Sequence, residues 1–303
     1  MPEVRSFKLS IVAKEFQQQI KGAIDKAHAV SLSAKALYAR AETLLLDALG
    51  LRNWQPPQPL AYEQPASAAW AAGRLDAEHF QPQYAALFSL LAQKGDLRLG
   101  DYLTEQVRRG ISPEYVEDGD VVVINSRHVG ATHVELETNR ATSRALLNLQ
   151  TETRGEVVVG DVLLNSTGRD TIGRCQCVLE DVEAVADNHV AIIRPKLELD
   201  PVYLACFLHA LPGQMQTESN WTGSSGQIEL RPDSIENYRV WNAPPKIQVE
   251  IRSQIEQSHM VRRQAKQLLE AAKRAVEIAI EDSEAAALVF LNHANIASEH
   301  GET

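Results

Sequence analysis

Glu156-Val-Val-Val-Gly-Asp-Val-Leu-Leu164 decides the fold. Valine and leucine fill it, and Gly160-Asp161 breaks it. Each apolar half is too short for a helix, and β-branched side chains suit a pleated, half-buried surface. The reading is two strands joined by a turn. Moving outward, Asp120-Val-Val-Val-Ile124 follows the turn Glu117-Asp-Gly119, and Gly173 to Val178 and His189-Val-Ala-Ile-Ile193 read the same way. Together they define a β-rich block from about Asp96 to Trp241. Inside it, Pro201 to Leu208 reads as a helix, with Asp200 at the N-cap and Pro201 at N1. Thr222-Gly-Ser-Ser-Gly-Gln227 is a glycine- and hydroxyl-rich loop.

The block stands between two helical stretches rich in Ala and Leu. Ser10 to Gly50 is expected to be helical, with a break near Val30-Ser31; Leu37, Ala41, Leu44, Leu45 and Ala48 recur at helical spacing, and Gly50 is a C-cap. Proline then stops the helix, and Trp54-Gln-Pro-Pro-Gln-Pro59 onward to Ala66 reads as a semi-rigid linker. Tyr84 to Lys94 is expected to form a short helix. After Pro244-Pro245, Lys246 to about Phe290 contains neither Pro nor Gly. Ile251, Ile255, Ala265, Leu269, Ala272, Val276 and Ala279 step by three or four once Ser258 and Arg262 are allowed in the seam. This predicts one amphipathic rod of ~60 Å with a thin apolar face that needs a partner. Sliding the chain by 235 positions sets Glu15 on Glu250, Gln19 on Gln254, Ile20 on Ile255, Ala36 on Ala271, Glu42 on Glu277 and Asp47 on Asp282. The first helix is therefore the expected partner. The fold class is α+β: one β-rich domain flanked by two long helices that form an antiparallel, coiled-coil-like pair.

Length allows one or two domains with a real core. No apolar run reaches the ~18 residues of a membrane span, and Met1 begins a mixed, charged segment without a signal-peptide pattern. Cys175, Cys177 and Cys206 give no disulfide framework and fit a reducing cytosol. Cys175-Gln-Cys177 lacks a second Cys/His pair at metal-ligand spacing and reads as two strand cysteines. Net charge is −10, and the block alone carries 13 Lys+Arg against 23 Asp+Glu. That opposes unaided, non-specific nucleic-acid binding, which depends on neutralising phosphates. Walker-type loops, HExxH, GxSxG and Asn-Pro-Pro-Tyr are all missing, so no enzyme chemistry is expected.

Asp161-Val-Leu-Leu-Asn-Ser-Thr-Gly168, Ile172-Gly-Arg-Cys175 and Asn188-His-Val-Ala-Ile-Ile-Arg-Pro195 resemble the strands of a target-recognition domain. Tyr203 to Leu208, Thr222 to Ile228 and Leu230-Arg-Pro-Asp-Ser-Ile235 continue the series. In this order they resemble the specificity (S) subunits of type I restriction–modification systems. Arg74-Leu-Asp-Ala-Glu-His-Phe-Gln-Pro-Gln-Tyr84 resembles the start of such a domain, and Gln264 to Ile280 resembles the family's spacer helix. Typical members carry two recognition domains and two spacer helices; this chain has one recognition block, so it resembles a half-subunit. The expected division is a helical region at 1–52, a linker at 53–73, a target-recognition domain at 74–243 and a spacer helix with tail at 244–303.

The resemblance implies a cytoplasmic, non-catalytic DNA-specificity subunit of phage defence. Its partners would be double-stranded DNA, modification (methyltransferase) subunits and a restriction subunit, with no membrane. It would hold no cofactor itself; S-adenosylmethionine would belong to the methyltransferase. Two copies would make a C2 homodimer reading a bipartite palindrome, or the chain would pair with another gene product that carries its own recognition domain. Asn165, Ser166, Thr167 and Arg169 follow a strand and are of types that read base edges or hold phosphates; the plainer reading is a self-bonded turn. Thr222, Ser224, Ser225 and Gln227 form a second candidate loop, or a surface loop without that role. Arg127 and His128, the doublet Arg108-Arg109, and Arg174 complete the DNA-facing set. The rival function is a helical dimerisation or interaction protein whose β module binds protein, favoured by the acidic block.

Overall fold

The computed structural model describes residues 12–138, 140–147, 154–223 and 227–300. Packing divides the chain into two compact units. The first combines residues up to Tyr38 with Glu256 onward, and the second is Ala39–Ile255.

The first helix, α1, runs unbroken over Lys14–Leu49, so the expected break at Val30-Ser31 is absent. A β-branched residue and a serine, followed by Leu32 and Ala34, do not interrupt a helix that finds tertiary packing. Gly50 then takes φ +80° and caps it. Short helices follow at Ala66–Ala72 (α2) and Pro82–Lys94 (α3). The block supplies α4 (Pro201–His209), α5 (Leu211–Asn220) and α6 (Pro232–Glu236). The long C-terminal helix, α7, covers Pro245–Glu281, and α8 covers Glu284–His300.

The single rod expected over Lys246–Phe290 is thus two helices. Ser283 causes the break without Pro or Gly: its hydroxyl accepts from Ala286 N at 3.2 Å and caps the new helix. Glu284 begins α8, and its carboxylate accepts from Ala13 N at 2.7 Å.

In the helical unit, Phe16 and Ala23 from α1 pack with Ala272 and Ala275 from α7 and with Ala287 and Leu291 from α8. Further along, Ser258 Oγ donates to Ala34 O at 2.7 Å. Low numbers on α1 meet high numbers on α7, so the pair is antiparallel. The expected seam needs one correction. Leu269 is 38% exposed, whereas Leu268 is buried. The stripe passes through Ala265, Leu268, Ala272 and Ala275, all buried. One residue of offset turns a side chain by ~100° on a helix, enough to take Leu269 off the seam. Val276 lies at its margin and Leu37 is half-buried, while Ala41, Leu45, Ile251 and Ile255 are buried in the second unit.

In the second unit the strands are β1 (Asp96–Arg98), β2 (Arg108–Arg109), β3 (Val121–Ile124), β4 (Ala141–Thr142) and β5 (Glu156–Val157). After them come β6 (Val162–Asn165), β7 (Cys175–Cys177), β8 (Ala184–Ala186), β9 (Val190–Ile193) and β10 (Arg239–Trp241). One sheet has the order β2-β9-β6-β7 and is antiparallel throughout. The other has the order β4-β3-β8-β5, with β3 and β8 parallel. β1 pairs with β10. Ile124, Val157, Ala184 and Ala186 of one sheet share a core with Leu163, Val190 and Ile192 of the other. The chain changes sheets at the turn Asp187–His189, between β8 and β9. Gly160, at φ +89°, makes the turn before β6.

Candidate nucleic-acid interface

β6 ends at Asn165, paired with Val190 of β9. Past that end the chain must turn, and three segments gather there. Ser166 N donates to His189 O at 2.9 Å, and Leu230 N donates to Ser166 O at 2.8 Å. Gly168 N donates to Ile228 O at 3.2 Å. Glu229 forms bridges with both Thr167 and Thr222. Two loops about 60 residues apart in sequence therefore lie side by side, joined through Ser166, Thr167 and Gly168 on one and Ile228, Glu229 and Leu230 on the other.

The third candidate loop is tied in by a side chain. Asn165 Nδ2 donates to Ser126 O at 2.8 Å and to Val129 O at 3.4 Å. Asn165 is wholly buried, and its Oδ1 has no hydrogen-bond partner among the described residues. Ser166 is also buried, its hydroxyl donating to His189 O at 3.0 Å. Both were expected to face DNA; both instead hold loops in place, because a strand-end polar residue beneath a loop crossing serves carbonyls before solvent.

Thr167 is half-exposed, and its hydroxyl lies 2.7 Å from His189 Nδ1. Arg169, Thr222 and Gln227 are exposed. Arg174 is half-buried and donates to Asp170 O at 2.8 Å. Arg127 is exposed at the tip of the third loop. His128 turns inward: its Nδ1 accepts from Asn125 N at 3.1 Å, and its Nε2 lies 3.0 Å from the Thr138 hydroxyl. Burial holds its imidazole below the ordinary value, so it is neutral and structural at pH 7. Ser224 and Ser225 lie outside the described residues.

Arg108 and Arg109 do not stand free for phosphate. Arg108 donates to Arg154 O at 2.9 Å and Glu156 O at 3.0 Å, and pairs with Glu105. Arg109 donates to Leu230 O at 2.7 Å and pairs with Glu229 at 2.6 Å. They form the edge strand β2, and a doublet of cations there serves its neighbours. Similar pairing takes Arg98, Arg144, Arg194, Arg231 and Arg239. Arg127, Arg169 and Arg174 have no carboxylate partner among the described residues, and all three belong to the gathered loops or to the turn behind them.

Two contributors, His189 and Arg74, were not assigned to the interface from the sequence. His189, read there as shaping a strand start, is exposed beside Thr167. Arg74 donates to Trp221 O at 3.0 Å and to Ser219 O at 3.3 Å, at the front of the second loop. Gly223 has φ +107°, and a Cβ there would lie 2.2 Å from Gln227 O, so the loop needs glycine at that point. The glycine was legible in the glycine- and hydroxyl-rich reading of this loop. Cys175 and Cys177 lie buried on β7, and no group of His, Cys, Asp and Glu among the described residues is placed to hold a metal. No described helix is long and apolar enough to cross a membrane.

No protein-family model matches the chain, and no curated protein matches it. Solved structures do. The chain is similar to the HsdS subunit from Thermoanaerobacter tengcongensis at 15% identity and TM-score 0.40, over 95% of this chain and 57% of that one. It is similar to a chain from a structure on complex assembly and conformational transition of the type I R-M system, at 14% identity and TM-score 0.40, over 100% of this chain and 67% of that one. It is similar to the type I restriction–modification S subunit from M. genitalium at 12% identity and TM-score 0.45, over 66% of this chain and 48% of that one. The chain thus spans between about half and two thirds of the length of these specificity-subunit and R-M chains.

Proposed function

We propose that this chain is a non-catalytic DNA-specificity subunit that directs a type I adenine methyltransferase to its site. The observation that carries the reading is the gathering of three loops at the end of β6. It leaves Arg127, Arg169, Thr167, Thr222 and Gln227 at the surface while Asn165 and Ser166 hold the loops together. Arginine can bind phosphate or guanine, and glutamine can pair with adenine. The recognition domain is residues 74–243, and residues 1–52 and 244–303 supply the spacer helices. The copy number is two, related by a twofold axis, so the half-sites are identical and inverted. S-adenosylmethionine is bound by the methyltransferase, and a restriction subunit joins the same complex.

Mapping methylated adenines in cells with and without this gene, beside its neighbouring methyltransferase gene, tests the reading. A bipartite palindrome with a fixed spacer is expected, lost when the gene is deleted. An asymmetric motif removes the homodimer, and an unchanged methylome removes the function. The excess of Asp+Glu in the block, 23 against 13 Lys+Arg, favours the second reading, a protein-binding module. In that case the chain joins the complex and the methylated motif does not depend on the loops.

A further inference from the structure

Both ends of the Thr222–Glu229 loop are held by arginines. Thr222 N donates to Glu229 O, and Glu229 N donates to Thr222 O, each at 2.8 Å, so the loop has a closed neck. Behind the neck, Arg109 holds Glu229 and Leu230. In front of it, Arg74 reaches across 147 residues of sequence to Trp221 O and also takes Ser219 O. Asp76 aims that guanidinium: Nε lies 2.9 Å from its Oδ1, and Nη2 also bonds its carboxylate. The Arg74 hydrogen bond holds the Asp76 carboxyl below the ordinary value, so the pair is ionised at neutral pH. His79 Nδ1 contacts the same Ser219 O. Arg74 directly follows the helix α2 and its Gly73 cap.

We propose that Arg74 is a positioning residue for the neck formed by Thr222 and Glu229, through which the segment leading into the block sets how Thr222 and Gln227 meet DNA. The inference rests on the DNA-reading function above. A guanidinium makes these bonds at once because it is planar and carries five donors; an ammonium on a flexible stem does not. Arg74 spends its donors inside the protein, so it adds no phosphate contact. Its effect is on register between loop and base edges, where small displacements matter.

The test uses Arg74→Lys in the full chain, with two readouts. Hydrogen exchange of the Thr222 and Glu229 amides, against Leu163 in β6 as control, reports anchoring without DNA. A rise of about tenfold at the neck with Leu163 unchanged is expected. No change at the neck overturns the anchoring. The second readout is binding of the chain with its methyltransferase to the mapped duplex and to a scrambled one. Cognate affinity should fall about tenfold, on the scale of one mismatched base pair, with scrambled binding and salt dependence unchanged. If both duplexes weaken together and the salt slope drops by about 0.9, Arg74 touches phosphate and the positioning role is overturned. If the wild-type chain prefers no duplex, the DNA reading fails and the loop's role on DNA fails with it, while the exchange result still decides whether Arg74 anchors the loop. Arg74→Gln, which removes the charge as well, should behave like Arg74→Lys.

Discussion

The helical unit and the loop end of β6 are held together by different physics. In the helical unit, small side chains recur at fixed intervals and meet across the seam: Ala23, Ala272, Ala275 and Ala287, with Phe16 and Leu291 filling the ends. Around β6, polar groups far apart in sequence meet carbonyls: Asn165 with Ser126 and Val129, Arg109 with Leu230, Arg74 with Trp221. Periodicity governs the first and satisfaction of buried polar groups the second. Damage should therefore scale with volume in the helical unit, and with stranded charge or lost partners in the block.

The largest effect is expected where a charge is stranded. Asp161 is fully buried before β6, accepting from Arg194 Nε at 2.7 Å, Arg194 Nη2 at 2.9 Å and Val158 N at 2.9 Å. Among the described residues, Asp161→Ala leaves the half-buried Arg194 with only its 3.1 Å contact to Glu105. Urea denaturation should show a loss of about 4 kcal/mol. A loss under about 1 kcal/mol would mean the block tolerates unpaired charge and would erase the contrast.

Volume comes next. Leu268→Ala should cost about 3 kcal/mol, since the side chain is buried. Leu269→Ala, one position on and partly exposed, should cost under about 1 kcal/mol. Equal losses in thermal melts would place the seam elsewhere.

These two residues also show how far the sequence could be read. The pattern located both long helices and their antiparallel pairing, because a thin apolar stripe at helical spacing has few ways to be covered. It put Leu269 in the seam where Leu268 belongs, since both complete a three–four rhythm. The Asp200 cap was legible from Asp-Pro alone, and its carboxylate does accept from Val202 N and Tyr203 N, each at 3.0 Å. The break at Ser283 was hidden because serine reads as an ordinary helix residue until a cap is needed. Around β6 the candidate loops were visible as polar strand ends. Which of their residues point inward depended on crossings that no local pattern encodes: Asn165 and Ser166 lie under the loops, Arg109 braces Glu229 and Leu230, and Arg108 serves Arg154 and Glu156. β2 itself was invisible, being two arginines long.

A pH effect of middle size sharpens the comparison within the block. Burial, with Arg174 nearby as a smaller cause, lowers His209 to about 4, and its Nδ1 accepts from Cys175 N at 3.3 Å. An unfolded histidine titrates near 6.5. Between these values the unfolded chain binds a proton that the folded chain refuses, so stability falls as pH drops through that window. From pH 7 to pH 5 the loss from this group should be about 2 kcal/mol. Asp187, Glu42 and Glu218 are raised by burial and act in the opposite sense, at the acid end. The comparison is therefore between the wild-type chain and His209→Gln, whose denaturation midpoint should change less over this range. Parallel pH curves for the two would reject a buried, neutral His209.

The smallest effect on stability falls at the surface of the loops, where it is most useful. Arg127 and Arg169 are exposed and make no ion pair among the described residues. Their replacement by alanine should change stability by less than about 0.5 kcal/mol. On DNA the two outcomes separate. An arginine on phosphate weakens cognate and scrambled duplexes alike and lowers the salt slope by about 0.9. An arginine on a guanine edge costs about 1–3 kcal/mol on the cognate duplex and relaxes one position of the methylated motif. If the block binds DNA, phosphate contact falls to at least one of the two, because the other cations of the block are largely paired with its own carboxylates. Binding isotherms at several salt concentrations, for each variant with the methyltransferase, decide the assignment. If neither replacement alters affinity, slope or motif, these loops do not touch DNA, and the chain joins its complex through protein contacts alone.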